Sequence, residues 1–150
     1  MLADLAPAAL AKAQSMALDA TPGCTVDGDA TLLAVLVRNL ADNAVRYSPR
    51  AARIAVQVTR EAGRVVLAVE DSGPGLADAD LARLGERFFR VTGTGETGSG
   101  LGASIVRRIA AVHGAAVESR RSTALGGLAV RVVFQPRAVA GAAAPRELAA

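Results

Sequence analysis

Tryptophan is absent from these 150 residues, and Tyr47, Phe88, Phe89 and Phe134 are the only aromatic side chains. Aliphatic residues and alanine must therefore fill the core, which a chain of this length can bury as one domain without staples. Cysteine occurs once, at Cys24, so no internal disulfide can form, which fits a reducing compartment or mere indifference to redox. No uncharged apolar run approaches the roughly 18 residues that a spanning helix needs. Asp4 precedes the first basic residue, and Lys12 interrupts the opening apolar stretch, a poor pattern for a secretory signal. The 17 basic residues are arginines except Lys12 and leave a net charge of +3. They are scattered apart from Arg107-Arg108 and Arg120-Arg121, without interleaved aromatics, which argues against a nucleic-acid partner.

What is present is strongly periodic. Residues 3–13 read as a helix, with Pro7 tolerable only in its first turn or as a kink. A strand over 15–20, a turn at Thr21-Pro22-Gly23 and a long helix from a cap at Asp29 or Thr31 to Tyr47 follow. Ile54, Val56 and Val58, then Val65, Leu67 and Val69, alternate in two strands joined at Glu61-Ala62-Gly63, each with one face towards a core. A short helix is expected over 78–84, a mobile glycine- and threonine-rich loop over 91–97, and a helix from Gly100 to His113 ended by Gly114. Two strands, 116–121 and 127–134, close the domain as a hairpin, and 136–150 reads as a disordered tail. Helices set against several paired strands imply an α/β two-layer sandwich.

Three segments carry chemistry. On the long helix, Leu33, Leu36, Leu40 and Ala44 form an apolar stripe, while Asn39, Asn43, Arg46 and Tyr47 fall on a second, polar face. That face is either a ligand surface or a solvated flank. Asp71 ends an apolar strand and precedes Gly73 and Gly75. A carboxylate there can accept a bond from the exocyclic amine of adenine, although Asp-Ser-Gly is also a common turn. Gly98-Ser99-Gly100-Leu101-Gly102 opens a helix whose free N–H groups and dipole suit a polyphosphate. No lysine follows the last glycine and no strand precedes the segment, so it is neither a P-loop nor a dinucleotide fingerprint.

In order and spacing, Asn39-Leu40-Ala41-Asp42-Asn43-Ala44-Val45-Arg46-Tyr47, Asp71-Ser72-Gly73-Pro74-Gly75, Arg87-Phe88-Phe89-Arg90 and Gly98-Ser99-Gly100-Leu101-Gly102 resemble the N, G1, F and G2 boxes of the histidine-kinase ATP-binding domain. That domain is a member of the GHKL ATPase superfamily, and the resemblance covers roughly residues 15–135. The run 85–110 is most similar to QseC-type sensor kinases. The resemblance implies a Bergerat-type fold, a mixed sheet with three helices on one face and a flexible ATP lid, binding ATP with Mg²⁺. It implies Asn43 as the Mg²⁺ ligand with Asn39 beside it, Arg46 reaching the phosphates and Tyr47 covering the base. Asp71, Gly73 and Gly75 would hold adenine, and Gly98, Gly100, Leu101 and Gly102 the phosphates. Phe88 and Phe89 would anchor one end of the lid, and Arg90 would reach towards the γ-phosphate or the partner domain. Asn39, Asn43 and Arg46 are the residues it marks as catalytic.

Hydrolytic relatives of the Hsp90, gyrase and MutL types carry glutamate where this chain has Asn39, and an amide cannot deprotonate water. Slow intrinsic hydrolysis is therefore expected. The only histidine, His113, lacks the phosphoacceptor signature and reads as a helix-end residue favoured by the dipole. The resemblance thus implies the catalytic half of a kinase, with residues 1–14 leading to a histidine-bearing dimerisation domain that lies elsewhere. It further implies a response regulator downstream, a dimeric whole protein around a monomeric isolated domain, and a place on the cytoplasmic side of a membrane. A nucleotide-gated binding module or a stand-alone ATPase are the alternatives. Two departures stand out: Ala103 replaces a larger apolar residue, and no Lys or Arg lies between Val91 and Leu101.

Overall fold

The computed structural model describes residues 1–86, 89–90 and 100–136. A 3-10 helix (Leu2–Leu5) runs into α1 (Ala6–Ala11), so the expected single helix is divided near Pro7, which sits in the first turn of α1 where its missing N–H costs nothing. Helix α1 ends in a Schellman motif, with Gln14 N–H donating to Ala9 O and Ala13 N–H to Leu10 O. Then come β1 (Ser15–Ala20), α2 (Ala30–Tyr47), β2 (Arg53–Glu61), β3 (Arg64–Asp71), α3 (Asp78–Arg83), α4 (Gly102–Val112), β4 (Ala116–Arg121) and β5 (Leu128–Phe134). Of the two candidate caps for α2, Asp29 is the one used, its side chain accepting from Leu32 N–H at 2.9 Å.

The strands form one sheet in the order β1-β2-β3-β5-β4, with β1 parallel to β2 and the other pairs antiparallel. This is the mixed sheet expected. Helices α1, α2 and α4 share one of its faces, enclosing Ile54, Val56, Leu67, Val69 and Val132 with Leu36, Leu40, Val106 and Ile109. Leu33 of the expected α2 stripe is only partly buried, whereas Ala41 and Val45 are buried on a second flank. That second flank exists because Leu5 and Ala9, from the N-terminal helices, join the same core. As the central strand, β3 also buries Val66 and Ala68 on its other face, where Arg131 pairs with Glu61 and Glu118. Alternation is therefore weaker in β3 than an edge strand would show.

The N-terminal segment also finishes α2. Lys12 Nζ donates to Arg46 O at 2.6 Å, and buried Gln14 Nε2 donates to Val45 O, Ser48 O and Pro49 O at 3.1, 2.9 and 3.1 Å. Val45 and Arg46 carry carbonyls that a helix leaves unpaired at its C-terminus, and Ser48 and Pro49 follow directly. Gln14→Ala should cost about 2 kcal/mol by removing this cap from buried acceptors. An unfolding free energy from urea denaturation lowered by less than a quarter of that amount would contradict the assignment.

Candidate functional site

The polar flank of α2, the end of β3 and the start of α4 meet at a cavity of about 540 Å³, ordinary for a small-molecule site. Asn39, Asn43, Arg46 and Tyr47 line it, as their spacing predicts, with Asp71, Gly75, Phe89, Arg90, Gly100, Leu101 and Gly102. Gly73 stands behind Asp71 rather than in the lining. Gly98, Phe88 and the expected lid loop at 91–97 lie outside the described residues.

A close approach joins the α2 amides to α4. A β-carbon on Gly102 would stand 3.0 Å from Asn43 Oδ1 and 3.3 Å from Asn39 Oδ1. Asn39 Nδ2 is spent on Val35 O at 2.8 Å, one turn back, which turns its Oδ1 towards α4. Helix α4 begins at Gly102, two residues later than expected, because Gly100 takes a left-handed backbone (φ +69) that cannot continue a helix. Leu101 at the N-cap offers no side-chain bond and the first turn holds no acidic residue. The positive end of α4 is thus left for an anion, beside two amide oxygens. Among the described residues no cluster of three or more His, Cys, Asp or Glu could hold a metal ion. A hard cation here would combine amide oxygen with phosphate and water ligands.

Asp71 closes the opposite end. Its Oδ1 accepts from Gly73 N–H at 2.8 Å and Leu128 N–H at 3.3 Å, and its carbonyl accepts from Gly127 N–H at 3.0 Å. Oδ2 accepts from no described residue and is left for a ligand donor. Burial raises the carboxyl's pKa above the ordinary 3.8, opposed by the Gly73 and Leu128 amides. Gly127 is a site residue that sequence reasoning missed: any side chain on it would overlap Asp71 Oδ1. Its signal was the doubled Gly126-Gly127, where a hairpin needs only one.

Two further side-chain pairings shape the cavity wall. Arg46 Nη2 bonds Asp42 Oδ2 at 2.9 Å, so this arginine is held by a neighbour one turn earlier, at the cavity's edge. Phe89 carries the Arg83 guanidinium 4.4 Å from its ring centroid, which fixes the ring against the end of α3.

The sequence matches the family described as "Histidine kinase-, DNA gyrase B-, and HSP90-like ATPase" over residues 28–138. The chain belongs to this ATPase family. Within it, the chain is 55% identical over 91 residues to "Sensor protein QseC" of Escherichia coli (strain K12), a match covering 61% of this chain and 19% of that protein. The chain therefore corresponds to about a fifth of that relative's length. Among solved structures, "Mycobacterial sensor histidine kinase MprB" superposes with a TM-score of 0.75 at 28% identity, covering 88% of this chain and 90% of that one. A full-length ShkA structure in complex with AMPPNP superposes with a TM-score of 0.76 at 30% identity, covering 89% of this chain and 28% of that one. The fold of this ATPase domain is that of histidine-kinase catalytic domains. Among the described residues no helix is long and apolar enough to cross a membrane.

Proposed function

We propose that this chain is the ATP-binding catalytic domain of a two-component sensor histidine kinase, donating the γ-phosphoryl group of Mg-ATP to a histidine on a helical dimerisation domain. The observation that carries this reading is the convergence of Asn39 and Asn43 on the open N-terminus of α4. Phosphoryl transfer needs positioning and charge neutralisation more than covalent help from the protein. Amide dipoles at α4 receive the phosphates, Asn43 with Asn39 beside it takes the metal, and Asp71 Oδ2 accepts from the adenine amine. Tyr47 and Phe89 flank the base. Arg46 and Arg90 lie on the cavity wall as cations available to the phosphates. Mg²⁺, which Asn43 with Asn39 beside it would hold, would supply charge neutralisation for the phosphates. An amide at position 39 leaves water without a base, so the phosphoryl group awaits an external nucleophile.

In this reading residues 15–135 form the nucleotide-binding unit and 1–14 lead to the dimerisation domain, while also capping α2 as described above. The whole protein would be a homodimer signalling to a response regulator from the cytoplasmic side of a membrane. The relatives' names, sensor proteins and a histidine kinase, support that setting. The test mixes this chain with Mg-ATP and a separate histidine-bearing helical hairpin. Acid-labile phosphate on the hairpin, with little phosphate released by the chain alone, is expected. ATP binding with an unlabelled hairpin would instead support a nucleotide-gated binding module, and rapid turnover by the chain alone a stand-alone ATPase.

A further inference from the structure

Between α3 and Phe89 the chain turns through Leu84 and Gly85, both in the cavity wall. Arg107, one turn beyond Ala103 on α4, donates from Nε to Leu84 O at 2.9 Å, across 23 residues of sequence. Gly85 holds a left-handed backbone, φ +94, and a β-carbon there would overlap Arg107 Nε and Cδ and stand 3.1 Å from Cγ. The arginine stem thus occupies the space that a side chain at 85 would claim. Arg83, at the end of α3, in turn holds the Phe89 ring. Among the described residues an α4 side chain thus binds this wall, and it has room because residue 85 is glycine.

On the reading of this cavity as the nucleotide site, we propose that Arg107 is a positioning residue. It ties the wall of Leu84, Gly85 and Phe89 to α4 so that the apolar surface meeting the nucleobase is set before nucleotide arrives. Arg107, itself in the cavity lining, acts through its hold on Leu84 O, not on the phosphates. A wall already ordered spares the binding step its cost of ordering. Losing the strut therefore weakens every ligand that carries the base, by the same factor whatever its phosphate number.

The experiment titrates the parent chain, Arg107→Ala, Gly85→Ala and the double variant with ATP and with adenosine, each competing against a fluorescent ATP analogue. Arg107→Ala is expected to lose affinity for both ligands alike, about five- to tenfold, the worth of one hydrogen bond plus a freed wall. Gly85→Ala pushes the flexible arginine aside and should lose at least as much. The double variant should match Gly85→Ala alone, because both changes remove the same contact. Unchanged affinities would overturn the proposal. So would a loss confined to ATP, which marks a direct phosphate ligand, or a double variant whose loss is the product of the two singles. If Arg107→Ala fails to fold, Gly85→Ala with its arginine intact still carries the test through the equal loss of ATP and adenosine. A parent chain that binds neither ligand would instead defeat the nucleotide reading of the cavity, and this inference with it.

Discussion

Asp71→Asn weakens ATP binding by about ten- to more than a hundredfold, the loss of a charge-assisted bond worth about 1.5–3 kcal/mol. The nucleotide-free variant should be at least as stable as the parent at neutral pH. The opposite signs follow from the site. Asparagine keeps an oxygen for the Gly73 and Leu128 amides, but presents an N–H₂ where the adenine amine needs an acceptor. Burial raises the folded-state pKa of Asp71 above the unfolded value near 3.8. Between those two values the native state keeps a proton that the unfolded chain has released, so stability falls as pH rises through that window. Below it the effect vanishes, and above it Asp71 costs the fold a buried charge. Removing the charge recovers that cost. Calorimetric ATP titration and thermal melts measure the two halves, and a variant that binds ATP as tightly as the parent would contradict the assignment. ATP affinity of the parent should also fall on acidification through the raised pKa of Asp71.

Asn43→Ala lowers phosphoryl transfer at saturating Mg-ATP by about a hundredfold or more, the scale on which loss of one charge-stabilising group acts. Binding of ATP without Mg²⁺ should change far less, since Asp71, Tyr47 and the start of α4 remain. Asn43 Oδ1 faces the Gly102 backbone, where an alanine at 43 leaves a gap and no ligand oxygen. Transfer rates measured across a Mg²⁺ series separate the two effects. A parent-like rate, or an equal loss with and without Mg²⁺, would show that the metal is held elsewhere.

The parts of this site readable in sequence are those with a local period or a local breaker. The polar flank of α2 follows from four residues at helical spacing, and all four line the cavity. Asp71 announced itself as a carboxylate ending an apolar strand, and β2 and β3 as alternating runs on either side of Ala62-Gly63. Contacts between distant segments were not readable. Gly127 earns its place only because Asp71, 56 residues earlier, needs the space above its carboxylate. Lys12 and Gln14 look like the polar end of a short helix until α2 delivers its last carbonyls beside them. The buried second flank of α2 is invisible until the N-terminal helices fold back over it. The resemblance implies a phosphate role for Arg46, while its pairing with Asp42 at i−4 follows the ordinary helical ion-pair spacing. The start of α4 was misplaced by two residues because a glycine-rich opening carries no capping side chain to mark it.

A crystal structure of the chain with Mg²⁺ and a non-hydrolysable ATP analogue tests the central claim most directly. The account predicts the adenine amine on Asp71 Oδ2, the metal on Asn43 Oδ1 and the β- and γ-phosphates over the first turn of α4. A nucleotide bound away from all three, or no binding at millimolar concentration, would contradict it.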